Sequence, residues 1–230
     1  MRALFRILSF SAVFFCFGAH ADAEPVFIER DRVSNVAHET AINAYRIGTN
    51  FMHENRLAEA EENLLAAIDL APDFVDALDH LGIVYRKQQE YPKAEKVYLR
   101  SIEINPGNTV PYINLALVYR LQNKTGQAIQ VYEDIMRRFP EDPESYYGLG
   151  LIYSQENDHE KSAGYLDKAI EKYQAMDSPY IYHAFAAQAE NYHAMQENEK
   201  ALLYYMKLSS AYPDEQYFKE RIKELEKPRP

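Results

Sequence analysis

A carboxylate and an imidazole stand about one helical turn apart at Glu190 and His193, a spacing with which a helix can present both groups to a metal ion. The remaining ligands would have to come from elsewhere, and His183 lies ten residues earlier, almost three turns away. We interpret these residues as surface side chains. The sequence therefore predicts no metal site and no cofactor.

Catalytic motifs are also missing from the sequence. It contains no GxSxG or HExxH motif, no P-loop and no glycine-rich dinucleotide turn. Its one cysteine, Cys16, lies in an N-terminal segment that we expect to be removed, so thiol chemistry is excluded from the mature chain. Nucleophilic catalysis would need a serine without a recognisable motif. The sequence predicts a protein that is not an enzyme.

Acidic residues outnumber basic ones by 35 to 25, which gives a net charge of -10. A surface of that sign repels phosphate backbones, so nucleic acid is not expected as a partner. The chain is 47% apolar and 26% charged, which is the composition of a folded protein.

The first 23 residues are predicted to be a secretory signal peptide. Arg2 and Arg6 supply a basic start, and residues 7–18 form an uncharged apolar run. Ala19 and Ala21 offer the small residues that signal peptidase accepts. We therefore expect a periplasmic or secreted protein with no membrane span after cleavage.

Two other fates of this segment are weaker interpretations. An uncleaved anchor is disfavoured because the apolar run is shorter than the roughly 20 residues that span a bilayer. Lipidation of Cys16 is not expected either, since Phe15 stands where lipoprotein signals have a small residue.

The rest of the chain repeats itself with a period of 34 residues. Small residues, aromatic residues, alanines and prolines each recur at that spacing, and a fifth copy follows after 39 residues. The longer spacing predicts five extra residues in the connection near residues 174–180. The aromatic series is Phe51, Tyr85, Tyr119, Tyr153 and Tyr192, and the small-residue series is Gly48, Gly82, Ala116, Gly150 and Ala189.

Each copy is predicted to be a hairpin of two helices. In residues 75–108, Leu78, Leu81 and Tyr85 recur at helical spacing. Pro92 can open a second helix, which is expected to stop at residues 105–107, where Asn-Pro-Gly follows.

These series resemble the tetratricopeptide repeat. The resemblance implies an all-α fold, a right-handed superhelical solenoid of about five helix-turn-helix units with a C-terminal capping helix. Gln188 stands where the fourth copy has Leu149, which leaves open whether the last junction is regular or bent. The implied segments are a lead-in at 24–40, repeats at 41–74, 75–108, 109–142, 143–181 and 182–215, and the capping helix and tail at 216–230.

Members of that family present a concave face, built from the first helix of each repeat, to a peptide or a protein element. The matching positions here combine an apolar strip with a basic edge, which predicts a ligand with apolar anchors and one or two carboxylates. The alternative is that these residues pack between adjacent helices. The predicted ligand-binding residues are Tyr45, Asp79, Ile83, Arg86, Ile113, Asn114, Leu117, Arg120, Tyr147 and Leu151.

Together these features predict an exported, non-enzymatic adaptor or scaffold that binds a protein or peptide partner in a cell-envelope assembly. The alternative is a regulatory or substrate-recruiting subunit of an envelope enzyme or transporter. The sequence leaves self-association open.

Overall fold

The computed structural model describes residues 36–227. All regular secondary structure in that part of the chain is helical, which confirms the predicted all-α fold. Its helices are α1 (Val36–His53), α2 (Leu57–Leu70), α3 (Val75–Lys87), α4 (Tyr91–Ile104), α5 (Val110–Leu121), α6 (Thr125–Arg138), α7 (Pro143–Gln155), α8 (His159–Ala175), α9 (Ile181–Ala194), α10 (Asn198–Ala211) and α11 (Gln216–Leu225).

The predicted signal peptide, residues 1–23, lies outside the described residues. The lead-in prediction extends to residue 40, yet α1 already begins at Val36. Helical backbone therefore reaches five residues into the segment for which the sequence shows no period.

The described chain divides into two compact units, with the boundary inside α7 between Ser145 and Tyr146. The N-terminal unit comprises residues 36–145 and the C-terminal unit residues 146–227. Each unit has its own buried apolar residues, and each is described by itself.

In the N-terminal unit, consecutive helices pack as hairpins. α1 packs against α2, α3 against α4 and α5 against α6, and the first helices α1, α3 and α5 also contact one another in order. The close approach within a hairpin depends on glycine: a β-carbon at Gly48 would lie 2.9 Å from Cγ of Leu64. Leucines and tyrosines fill the interior, including Leu64, Leu78, Leu81, Tyr98, Leu115 and Ile135.

The turn that ends each first helix has one conformation throughout. Gln89, just past α3, has a left-handed backbone with φ of 62°, and the Glu90 amide donates to the Tyr85 carbonyl oxygen over 2.8 Å. This arrangement satisfies carbonyl groups at the helix end that would otherwise lack partners. The same left-handed residue recurs at Asn55, Asn123, Asn157 and Gln196, with spacings that match the sequence repeat.

In the C-terminal unit the predicted five-residue insertion is absorbed partly by helix. α8 has 17 residues, whereas the second helices α4 and α6 have 14 each. The chain then turns at Asp177, which has φ of 50°, before α9 begins. The longer connection is thus a longer second helix followed by a tight turn.

Gln188, the residue that left the last junction open, is completely buried. Its side-chain amide donates to the Ala163 carbonyl oxygen over 3.2 Å and to the Asp167 carboxylate over 2.7 Å. One turn further on, buried Asn191 donates to the His159 carbonyl oxygen over 2.8 Å, and its own amide oxygen lies 2.8 Å from Nδ1 of the His159 ring. Hydrogen bonds therefore join α9 to α8 at two positions where repeats two to four have aliphatic residues.

The C-terminal helix α11 covers the end of the last repeat. Phe218 is 2% exposed, and Ile222 and Leu225 pack on the same apolar cluster. The Glu190 carboxylate accepts hydrogen bonds from the hydroxyls of Tyr205, over 2.6 Å, and Tyr217, over 2.5 Å. α11 is thus fixed to the repeat by both apolar and polar contacts, as a cap requires.

Candidate functional site

The predicted ligand-binding residues do not form one described site. Tyr45, Asp79, Ile83, Arg86, Ile113, Asn114, Leu117 and Arg120 lie on α1, α3 and α5 of the N-terminal unit. Tyr147 and Leu151 lie on α7 in the C-terminal unit. We use "first-helix face" for the residues of the N-terminal unit alone.

The structure corrects the prediction for two members of this set. Asp79 is 0% exposed and Ile83 only 8% exposed, so neither side chain offers a surface to a ligand. The packing alternative applies to both, because α3 lies between α1 and α5 and contacts each of them.

The Asp79 carboxylate instead joins α3 to α4 and to the connection that follows α4. It accepts hydrogen bonds from the Ser101 hydroxyl, over 2.5 Å, and from the Asn108 side-chain amide, over 3.0 Å. Asn108 in turn accepts from the Val110 amide at the start of α5, over 3.1 Å. Burial raises the pKa of Asp79 to about 7, and Asp76 adds to the rise while the two hydrogen bonds oppose it.

Tyr45 belongs to a small aromatic cluster. Its ring lies 5.0 Å from that of Phe74 and 5.1 Å from that of His80, and its hydroxyl is 3.2 Å from Nδ1 of His80. His80 is 3% exposed, so this partner of Tyr45 is buried. Tyr45 itself remains half-buried, so part of its ring lies at the surface.

The centre of the first-helix face is formed by α5. Ile113, Asn114 and Leu117 are each half-buried. The Asn114 side-chain amide donates to the Val110 carbonyl oxygen over 3.1 Å, which leaves its own oxygen as an acceptor. The surface available here is therefore mainly the apolar part of Ile113 and Leu117.

Two arginines border this apolar surface in equivalent places. Arg86 on α3 adjoins the buried hydroxyl of Tyr98, and Arg120 on α5 adjoins that of Tyr132. Burial raises the pKa of both tyrosines, and the neighbouring guanidinium partly opposes the rise. Each arginine is half-buried beside its core tyrosine, and this arrangement places it at the edge of the first-helix face.

In the C-terminal unit, Tyr147 and Leu151 are half-buried. The Tyr147 ring packs edge-on against Tyr173 at a centroid distance of 6.4 Å, within a cluster that includes Ala169 and Ala184. Tyr147 is therefore partly core material, as the packing alternative describes.

The candidate chemical pair, Glu190 and His193, is not arranged as a metal site. Glu190 is held by two tyrosine hydroxyls and by Arg221, whose guanidinium nitrogen lies 3.4 Å from the carboxylate. Among the described residues, no group of three or more histidine, cysteine, aspartate or glutamate side chains could hold a metal ion. The chemistry that the described residues offer is binding through apolar and cationic groups.

Comparison with known families identifies the repeat. Residues 73–141 and residues 113–177 each match a family described as Tetratricopeptide repeat. Residues 73–177 of this chain are tetratricopeptide repeats. Tetratricopeptide repeats are protein-interaction modules, and their stacked helices provide extended binding surfaces.

Solved tetratricopeptide repeat structures share the fold. A thermophilic protein of Thermus thermophilus gives a TM-score of 0.64 at 20% identity, covering 80% of this chain and 98% of that chain. A protein of Parabacteroides merdae gives a TM-score of 0.62 at 22% identity, covering 81% of this chain and 72% of that chain. YrrB, described as a protein with an unusual peptide-binding site, gives a TM-score of 0.54 at 19% identity, covering 80% of this chain and 93% of that chain.

At these identities the similarity establishes the fold alone, and the predicted repeat fold is confirmed. No curated protein matches the sequence significantly. Within residues 36–227, the tetratricopeptide helices are too short or too polar for any one of them to span a bilayer.

Two residues that contact the repeat tyrosine Tyr119, Glu95 and Lys124, are not marked by the tetratricopeptide pattern. Tyr119 donates its hydroxyl proton to Glu95 over 3.0 Å, and Lys124 lies over the Tyr119 ring at 5.6 Å. Glu95 follows Glu61 by one period, and that recurrence is the sequence signal that could have indicated a tie between repeats.

Proposed function

We propose that this protein is an exported, non-enzymatic adaptor that binds a polypeptide segment of a partner on its first-helix face, within a cell-envelope assembly. The observation that carries the proposal is the pairing of half-exposed apolar side chains, Ile113 and Leu117, with Arg86 and Arg120 at their border. This pairing stands on an otherwise acidic protein, whose net charge is -10.

The arrangement favours a ligand with both apolar anchors and carboxylates. Apolar anchors supply most of the binding energy at such surfaces, whereas cationic neighbours select acidic partners and accelerate association. Arginine suits this role because its planar guanidinium can donate two parallel hydrogen bonds to one carboxylate. The protein as a whole is acidic and the face offers two arginines, so we expect one or two ligand carboxylates and not a polyanion.

The family membership supports a polypeptide as the ligand. A fold alone does not name a function. YrrB, which shares the fold, is described as having a peptide-binding site, and this gives a precedent for peptide recognition on such a stack. The identity of 19% carries no residue roles across, so the choice of face depends on the side chains above.

The export part of the proposal depends on the N-terminal sequence. Arg2 and Arg6, the apolar run at 7–18 and the alanines near residue 20 support secretion through a cleaved signal. We expect the mature chain to begin at Asp22 or Glu24. Intact-mass measurement of protein from the periplasm or medium tests this, and a mass that retains residues 1–21 contradicts it.

Photo-crosslinking in living cells tests the binding face. A photoreactive phenylalanine analogue is placed in turn at Ile113, at Leu117 and, as a control, at Lys219, which is exposed on α11. We expect a discrete adduct from position 117 whose yield falls severalfold when Arg120→Glu is added, and no such adduct from position 219. If positions 113 and 117 both give no adduct, or if the same adduct forms equally at 219, the first-helix face is not the binding surface.

A further inference from the structure

A pocket of about 270 Å³ opens between two second helices of the N-terminal unit, on surfaces that do not belong to the first-helix face. We call it the α4–α6 pocket. Apolar side chains and two tyrosine rings line most of it, and two glutamines and an aspartate complete it. The lining residues are Leu99 and Ile102 of α4, Tyr112, Leu115 and Tyr119 of α5, and Gln127, Gln130, Val131 and Asp134 of α6.

Hydrogen bonds fix both tyrosines of the pocket. The Tyr119 hydroxyl donates to Glu95 over 3.0 Å, and the Tyr112 hydroxyl accepts from Arg138 over 2.8 Å. The polar ends of the rings are thereby satisfied, while their apolar surfaces remain part of the pocket lining. The pocket is preformed, so a ligand would not have to order it.

The C-terminal unit shows what the equivalent place holds in repeats four and five, whereas the second repeat has Val97 there. Tyr153 of the fourth repeat stacks with Tyr165, with ring centroids 5.4 Å apart and planes at 6°. Tyr192 of the fifth repeat stacks with Tyr204, with centroids 5.9 Å apart and planes at 16°. In both repeats, an aromatic ring from the second helix therefore covers the tyrosine of the first.

The third repeat has the first-helix tyrosine, Tyr119, but no aromatic residue at the second-helix position that would cover it. Tyr119 precedes Tyr153 by 34 residues, and Val131 precedes Tyr165 by the same 34. Valine is too short to cover Tyr119 as tyrosine does in the later repeats. The α4–α6 pocket lies where that ring would be, with Val131 and Tyr119 both in its lining.

A lysine of the later repeats is replaced by an acid in the third repeat. Lys168 lies over the Tyr146 ring at 5.9 Å, and Lys207 lies over the Phe185 ring at 4.8 Å. The residue in that position of the third repeat is Asp134, which is 34 residues before Lys168. The third repeat thus replaces a tyrosine and a lysine with a valine and an aspartate.

Asp134 remains able to pair with an incoming cation. Its carboxylate lies 3.1 Å from the Arg137 guanidinium and 2.9 Å from that of Arg138. These arginine side chains are 70% and 48% exposed, and such surface ion pairs are weak and exchange easily.

We propose that the α4–α6 pocket binds a tyrosine or phenylalanine side chain of a partner polypeptide, stacked on Tyr119, with an adjacent lysine or arginine of the partner paired with Asp134. The partner then supplies the ring that repeats four and five supply from their own chain, and its cation pairs with the aspartate that stands in place of their lysine. The pocket is lined by α4, α5 and α6, and none of its lining residues belongs to the first-helix face, so the proposal stands or falls independently of ligand binding at that face.

Dipeptide titration of the full chain tests the pocket. The probes are N-acetyl-Tyr-Lys-amide, N-acetyl-Tyr-Glu-amide and N-acetyl-Leu-Lys-amide, followed by methyl NMR signals of Leu99, Ile102, Leu115 and Val131. We expect saturable shifts of these methyl groups with Tyr-Lys, and affinities at least about threefold weaker for Tyr-Glu and Leu-Lys. Absence of localised shifts at the solubility limit of the Tyr-Lys probe overturns the proposal.

Two variants separate stacking from charge, and Val97→Tyr serves as a matched control one repeat earlier. Val131→Tyr should fill the pocket as Tyr165 and Tyr204 do, keep the thermal midpoint and weaken Tyr-Lys binding at least about tenfold. Val97→Tyr should leave binding unchanged. Asp134→Lys should remove the preference for Tyr-Lys over Tyr-Glu. The stacking site is wrong if Val131→Tyr unfolds the chain or binds the probe unchanged, and the basic neighbour is wrong if Asp134→Lys keeps the preference.

Discussion

Replacing Gly82 by alanine tests the close packing of helices within a repeat. A β-carbon at this position would lie 2.9 Å from Cδ1 of Tyr98 and closer still to Cε1 and Cζ of the same ring. Carbon atoms in good contact are about 3.5 to 4.0 Å apart. Tyr98 is 0% exposed, so its ring cannot swing into solvent to make room.

The magnitude follows from two opposing effects. Overpacking of a close-packed interior costs about 1 to 3 kcal/mol. Alanine is favoured over glycine within a helix by about 1 kcal/mol, which offsets part of that cost. Gly164→Ala in α8 isolates the second effect, because a β-carbon there meets nothing within 4 Å. The two variants should therefore differ in unfolding free energy by about 1 to 3 kcal/mol.

Urea denaturation followed by far-UV circular dichroism measures both variants. We expect Gly164→Ala to raise the midpoint and Gly82→Ala to lower it or leave it unchanged. In the Gly82→Ala background, Tyr98→Leu should cost less than it does in the wild type, since Gly150 already faces a leucine, Leu166. Equal stabilisation by both alanines, or an additive double mutant, would refute the steric argument.

Four further substitutions probe turns, polar junctions and a buried acid. Gln89→Asn should raise stability by a few tenths to about 1 kcal/mol in thermal denaturation, because asparagine tolerates the left-handed backbone at φ of 62° better than glutamine; lower stability would contradict that reading. Asn191→Ala should lower the free energy of unfolding by about 1 to 3 kcal/mol, because it leaves polar groups of His159 unpaired. Gln188→Leu restores the residue of earlier repeats and should lower it by less than about 1 kcal/mol. Equal losses in urea denaturation would count against this distinction. Burial raises the pKa of Asp79 from 3.8 to about 7, so the folded chain binds this proton more tightly than the unfolded chain. The stability that the protonated group contributes is therefore full below about pH 4 and is lost as the pH rises to 7. Measured across that range, the stability of the wild type relative to Asp79→Asn should fall by up to about 4 kcal/mol, and a constant difference would refute the assignment.

The repeats could be predicted from sequence because their packing repeats. Gly82 and Tyr98 follow Gly48 and Leu64 by one period of 34 residues. Close contact between the two helices requires a small residue in each copy. A single helix would not reveal this, since its apolar residues alone do not say what they pack against. The five extra residues before α9 are also visible as a change of spacing, although not their division between helix and turn.

The candidate site was less predictable because position on a helix does not determine exposure. Asp79 occupies a first-helix position that we predicted to be exposed, yet Ser101 and Asn108 bring it hydrogen bonds that allow burial. Those partners lie 22 and 29 residues away, outside the positions that define the repeat. The α4–α6 pocket is similar: the change from Tyr165 to Val131 is readable in the sequence, but the open space is visible only in the structure.

Affinity for the partner cross-linked from Leu117 tests the central claim most directly. Calorimetry compares the wild type with Leu117→Ala, with Arg120→Glu and with the surface control Lys219→Ala, and circular dichroism confirms that each variant is folded. The account predicts that Leu117→Ala weakens binding by on the order of 2 kcal/mol, that Arg120→Glu reduces the salt dependence of binding, and that Lys219→Ala has no effect. A folded Leu117→Ala protein that binds its partner with unchanged affinity would contradict binding on the first-helix face.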